Sequence, residues 1–244
     1  MVKQFVLERY LNALLSGDRL SCRSIIEESL QIGTPAHQIY MDVIWPIMVE
    51  IDNLYREDRI TPAQEAMASR INRSIVNQLQ NKLPRRAGSD KRIVIVTADS
   101  QQAELGGQMT SDLFESDGWS SRFLGGTVNN EDILEFIHEY APDVLLLYGF
   151  NGKEAPAVRE LIDRIRGVNA WPQMRIMLSG GVFLRAEGLW EEIGADLYAE
   201  TAAEAVRMAD LPQEQLPIPV RTIKQRTHLA KKHAAPVEIH AAAI

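Results

Sequence analysis

Residues 97–107 read TADSQQAELGG, after the apolar run RIVIV and before a helical pattern. That is where an open α/β sheet presents its ligand loop. Loops so placed do acid–base, nucleophilic or metal chemistry through His, Cys, Lys or carboxylates. This one holds no histidine, cysteine or lysine, and its only acids are Asp99 and Glu104. Two carboxylates so close in one loop do not define an acid–base pair without geometry. The histidines offer no better centre. His37 opens the third helical pattern, His138 suits the negative end of a surface helix, and His228, His233 and His240 fall in the C-terminal tail. No pair has metal-ligand spacing inside one element. The single cysteine, Cys22, excludes an intramolecular disulfide and any multi-cysteine metal centre, and its amphipathic setting reads as a small buried residue. The expectation is a non-enzymatic protein.

The elements that would position these residues fall into two regimes. Residues 1–82 give four helical patterns and no strand, a four-helix bundle. Gly17 and Gly33 sit where helices stop; Asp18 and Thr61 can cap the next ones, Thr61 with Pro62 at the first helical position. Pro46, inside the third pattern, predicts a kink. Residues 83–91 form a polar linker. Over 92–212 apolar strand-like runs alternate with helical ones five times, which predicts an α/β unit with a doubly wound, five-stranded parallel sheet of flavodoxin or Rossmann-like type. Residues 213–244 change character: from 214 onward five Lys or Arg stand against two acids, with several prolines. This segment is expected to be a basic, mobile tail whose VRTIKQRTHLAKK run forms a short helix on a partner. With 244 residues, 45% of them apolar, the chain can bury an ordinary core. No run of about 18 apolar residues occurs, and the N-terminus is charged rather than signal-like, so a cytoplasmic protein without membrane contact is expected. A net charge of −7 argues against direct nucleic-acid binding.

Several stretches in fixed order carry a resemblance. YLNALLSGDRLSCRS, the P-x-M turn at Pro46 and the ITPAQEA entry to the last bundle helix precede LGGQMTSDLFESDGWSSRFLGG, APDVLLL, LSGGVF and IGADLYAETAAEAV. Over residues 1–210 the chain resembles the cobalamin-binding domain family, as found in corrinoid methyl carriers and light-sensing transcriptional regulators. The family loop reads Asp-x-His-x-x-Gly, its histidine binding cobalt from below and its aspartate polarising that histidine. Aligned on Gly106 and Gly118, those positions hold Gln101 and Ala103; aligned on Gly107, they hold Gln102 and Glu104. Neither set supplies the imidazole. Where the family has Ser or Thr beside the channel for the nucleotide tail, this chain has Tyr148, expected to narrow or plug it. Ser179, Gly180 and Gly181 are retained, either for close approach to a ligand or for the turn itself. Above the corrinoid, the Trp and Glu-His positions of the light-sensing relatives carry Tyr55, Glu65 and Ala66, Glu65 also suiting a helix start. Met41, Trp45, Met48 and Met67 either line a flat apolar cavity or pack as core.

Three functions follow from this resemblance. The leading one is a regulatory module that docks a signalling or transcription partner, with self-association left open. The second is a sensor for a tetrapyrrole other than His-ligated base-off cobalamin: haem, a bilin, or a corrinoid keeping its own lower base. The third and weakest is a corrinoid methyl carrier.

Overall fold

The computed structural model describes residues 2–212 and Gln215. Apart from Gln215, the tail and its expected helix lie outside the described residues. Helix α1 (Val2–Ser16) leads into α2 (Arg19–Gln31), whose cap Asp18 accepts hydrogen bonds from the Ser21 amide at 3.0 Å and the Ser21 hydroxyl at 2.6 Å. Cys22 is fully buried there, and burial first, then Asp18, pushes its thiol up to about 11. The third helix comes in three pieces: α3 (Ala36–Ile39), a π-turn (Tyr40–Ile44) and α4 (Trp45–Arg56). Helix α5 (Pro62–Gln80) starts with a full capping box between Thr61 and Gln64, and Pro62 opens it.

The kink expected at Pro46 takes the form of that π-turn. Proline has no N–H for the carbonyl four residues back and its ring crowds that carbonyl. The preceding turn opens by one residue, and the Trp45 N–H reaches the Tyr40 carbonyl instead. Tyr40 is thereby fully buried, and Trp45 faces the second unit.

In the α/β unit, β1 (Arg92–Thr97), α6 (Gln101–Ser116), β2 (Ser120–Gly125), α7 (Asn130–Tyr140) and β3 (Val144–Tyr148) alternate. Then come α8 (Ala155–Val168), β4 (Arg175–Ser179), a 3-10 turn (Gly181–Leu184), α9 (Leu189–Ile193), β5 (Leu197–Ala199) and α10 (Ala202–Asp210). The strands pair in parallel in the order β2-β1-β3-β4-β5, so the direction of winding reverses between β1 and β3. Side chains alternate across the sheet. Val144, Leu146 and Tyr148 join the core shared with the bundle, while Leu145 and Leu147 join the core on the other face. Residues 83–91 run along the end of α6, pinned by the Arg86 amide on the Ser116 carbonyl (2.9 Å) and the Ser89 amide on the Gly118 carbonyl (2.7 Å).

One expectation about the backbone is corrected here. Residues 101–107 are not loop but the first two turns of α6. Ser100 caps the helix, its hydroxyl accepting from the Ala103 amide at 3.1 Å, and Glu104 sits favourably in the first turn. Gly106 and Gly107 persist inside a helix because neighbours come too close for side chains. A methyl group on Gly106 would fall 2.3 Å from the Tyr148 hydroxyl, and one on Gly107 2.3 Å from the Thr97 methyl.

The bundle is seated on the sheet by a row of polar pairs between α5 and α6. Arg73 meets Glu104 at 3.0 Å, Asn77 meets Gln108 at 2.7 Å, and Gln80 meets Asp112 at 2.8 Å. Asp112 is 4% exposed, and its other oxygen lies 2.9 Å from the Tyr40 hydroxyl, which also lies 3.0 Å from the Val76 carbonyl. Tyr40 has one proton for two acceptors. When Asp112 is ionised Tyr40 donates to it; when Asp112 is protonated it can donate to Tyr40, which then donates to the Val76 carbonyl. Burial above all, with the nearby charge of Glu115, pushes this carboxyl up to about 6, despite opposing hydrogen bonds from Tyr40 and Gln80.

Candidate functional site

The carboxyl edge of the sheet sets in register Thr97, Tyr148, Ser179 and Ala199. Above its middle, where the winding reverses between β1 and β3, a cleft of about 350 Å³ opens between α4 and the strand ends. This is the position at which doubly wound sheets bind ligands. Its floor is Ala98, Ala103, Tyr148 and Gly149; its far wall is Gly180 and Gly181; its roof is Met48 with Val49. The side-chain amides of Asn53, Gln102 and Asn151 line it. The Nε2 of Gln102 is buried and has no hydrogen-bond partner within the protein. A buried donor left unmade costs about 1–3 kcal/mol, a cost the fold carries beside the cleft.

At the rim Asp52 pairs with Arg56 at 2.5 Å and lies 3.9 Å from Arg185, which joins α4 to the segment after β4. Burial first, and then Arg56, lowers the Arg185 pKa. The Tyr148 phenol, 5% exposed, is raised above its ordinary range by burial and by Asp52. Its ring meets Trp45 edge-on, with centroids 6.1 Å apart at 70°, and fills the slot between Gly106 and Gly180. A methyl on Gly180 would fall 2.9 Å from that ring.

Of the residues singled out by sequence, Met48, Ala103, Tyr148, Gly180 and Gly181 come together at the cleft. Trp45 and Gly106 stand behind them, packed on Tyr148. Ser179 is 1% exposed and spends its hydroxyl on the Ala199 carbonyl at 2.7 Å, a contact within the sheet. Gln101 is exposed on the first turn of α6. Tyr55 and Glu65 are not brought to the cleft: Tyr55 is 41% exposed, and Glu65 accepts from Ser69 at 3.2 Å on its own helix. Met67 packs under Gly17, away from the cleft. Asp52, Arg56, Arg185 and Gln102 were missed as site residues; only Gln102 had a sequence signal, through the alternative alignment of the loop.

Because 101 and 103 lie in one helical turn, their side chains leave the helix on different sides. Gln101→Asp with Ala103→His is therefore expected not to build an aspartate-supported imidazole ligand. Titrated with hydroxocobalamin, that double variant should give no protein-ligated spectrum. Its appearance would mean that the first turn of α6 unwinds.

Fold and cleft together define a cobalamin-binding-domain protein: a helical cap over the switch point of a doubly wound sheet. Models of the B12 binding domain match residues 6–80 and 91–207, and the chain belongs to this family. It is 24% identical over 215 residues to monomethylamine corrinoid protein 2 of Methanosarcina acetivorans, covering 86% of this chain and 98% of that one. It is 28% identical over 137 residues to dimethylamine corrinoid protein 3 of Methanosarcina mazei, covering 55% and 80%. The solved monomethylamine corrinoid protein of Methanosarcina barkeri superposes with a TM-score of 0.72 at 20% identity, over 84% of this chain and 97% of that one.

These relatives overturn the leading functional expectation. A regulatory or signalling module, whether docking unit or sensor, does not stand against relatives matched along nearly their whole length that are methylamine corrinoid proteins. The weakest of the three readings, the corrinoid carrier, fits them better. The imidazole is missing, but a cleft is open at the switch point. Among the described residues no group of His, Cys, Asp and Glu could hold a metal ion, and no helix is long and apolar enough to cross a membrane.

A corrinoid ligated from below by an imidazole, with its nucleotide threaded between α6 and the turn after β4, does not fit this chain. Ala103 has no donor atom, and the Tyr148 ring occupies the slot. The open cleft above that floor is lined by Asn53, Gln102 and Asn151, residues whose side chains carry amide donors.

Proposed function

We propose that the chain is a corrinoid-carrying component of a methylamine-type one-carbon transfer system, and that it holds its corrinoid in the switch-point cleft without a cobalt ligand from the protein. The observation that carries this reading is the open cleft at the switch point, lined by the amide-bearing residues Asn53, Gln102 and Asn151. The periphery of a corrin ring carries carboxamides, whose carbonyls are the acceptors such donors need. Likeness to methylamine corrinoid proteins across both units supports the same choice of ligand. In this reading the cleft binds and orients, and the transfer partner is a second protein that meets the open rim between α4 and Arg185.

The test is to incubate the full chain with diaquacobinamide and with hydroxocobalamin, then measure corrinoid absorbance in the protein peak after gel filtration. Retention of at least one of them is expected. Gln102→Leu should leave thermal stability unchanged or slightly higher, because it removes an unpaired donor, while weakening retention about fivefold to tenfold. Failure of both corrinoids to stay with the protein would overturn the reading.

A further inference from the structure

Tyr148 stands at the centre of the carboxyl edge, between Thr97 of β1 and Ser179 of β4. Its ring fills the slot below the cleft. On one side α6 offers Gly106, where even a methyl group would fall 2.3 Å from the phenol oxygen; on the other the turn offers Gly180, where a methyl would fall 2.9 Å from the ring. Trp45 closes the slot from the bundle side, and Ala103 lies against Gly149, where a methyl would come within 2.6 Å of its own. Backbone and aromatic groups crowd the space beneath the cleft at Gly106, Gly149 and Gly180, and an interior packed this closely does not yield to a bulky group without loss.

We infer that Tyr148 is a specificity-determining residue that selects a corrinoid lacking the nucleotide loop, bound with its lower face on the closed floor of the cleft. This inference rests on the corrinoid reading above. Exclusion here works by ring volume, so the hydroxyl is dispensable: Tyr148→Phe should keep the selectivity, and a small side chain should abolish it. Trp45 backs the ring and acts as a positioning residue for it.

The experiment compares diaquacobinamide, which has no nucleotide, with hydroxocobalamin, which has one, by titration against quenching of tryptophan fluorescence. The wild-type chain and Tyr148→Phe are expected to bind cobinamide at least tenfold more tightly. In Tyr148→Val and Tyr148→Ser the ratio should fall to about threefold or less through a gain in hydroxocobalamin affinity. Equal binding of both by the wild type, a comparison that needs no variant to fold, would overturn the inference alone. So would folded small-residue variants that keep the tenfold ratio. If neither corrinoid binds to the wild type or to any folded variant, the corrinoid reading and this inference both fail.

Discussion

Gly181→Ala is expected to destabilise the protein by about 3–4 kcal/mol, lowering the unfolding midpoint by roughly 10 °C for a fold of this size. Two effects add. Gly181 has φ +57, a left-handed conformation that a side chain resists by about 1–2 kcal/mol. A methyl there would also fall 2.1 Å from the Phe150 carbonyl oxygen and 2.5 Å from the Gly149 carbonyl carbon, and neither is a side chain that can swing away. That same Phe150 carbonyl accepts the Val182 amide at 2.8 Å, so the bond that starts the 3-10 turn would be strained as well. Gly33→Ala separates the two effects: Gly33 has φ +90, but nothing lies within 4 Å of the added methyl. It should lose only the conformational part. Calorimetric unfolding of both variants beside the wild type checks this, and equal losses would mean that the Phe150–Val182 turn yields freely.

The second large effect is a pH dependence centred on Asp112. Its carboxyl sits at about 6 in the folded chain, against 3.8 ordinarily. Between pH 4 and 6 the folded chain therefore holds a proton that the unfolded chain has released. The unfolding free energy contributed by this group must fall as pH rises through that window and stay low above it. A shift of this size corresponds to about 2–3 kcal/mol, with little solvent screening at 4% exposure. Ionisation also leaves Tyr40 choosing between Asp112 and the Val76 carbonyl. Asp112→Asn keeps the shape and cannot ionise, so it should match the wild type near pH 4 and exceed it by about 2 kcal/mol at pH 8. Denaturant unfolding at both values is the measurement. A variant equally destabilised at both would show that the carboxylate, not the acid, is the form that holds α5 and the π-turn to α6.

Much of the fold was legible because it rests on local rules. Asp18 and Thr61 announced their helices by chemistry that needs only the next three residues, and both cap as expected. The strands β1, β3 and β4 announced themselves by nearly continuous apolar runs, since a parallel sheet covered on both faces has no polar side, whereas the edge strand β2 carries Ser120, Ser121 and Arg122. The start of α6 was misread because glycines and polar residues imitate a loop, while the deciding contact is a single hydroxyl, that of Ser100. At the site, the absence of the imidazole was legible and its consequence was not. Whether Tyr148 blocks the slot depends on Gly106, Gly180 and Trp45 converging on it from three distant segments. The contact of Asp52 with Arg185 likewise exists only once α4 lies across the strand ends, whereas its pairing with Arg56 is an i,i+4 contact within α4. Function was misjudged because the missing Asp-His pair was weighed against the carrier reading, which the methylamine corrinoid relatives favour.

The π-turn before Pro46 also fixes a phase relationship. A π-turn is an α-helix carrying one residue more than its hydrogen bonds can count, and each helical residue turns the chain by about 100°. Wound as a regular α-helix, this stretch would set Tyr40 and Trp45, five residues apart, about 140° from each other around the axis. The wider turn brings them back to about the same side, so that both face inward, one toward Asp112 and the other toward Tyr148. The surplus residue acts as a gear tooth, setting the rotation at which the buried acid and the cleft floor engage the same helix.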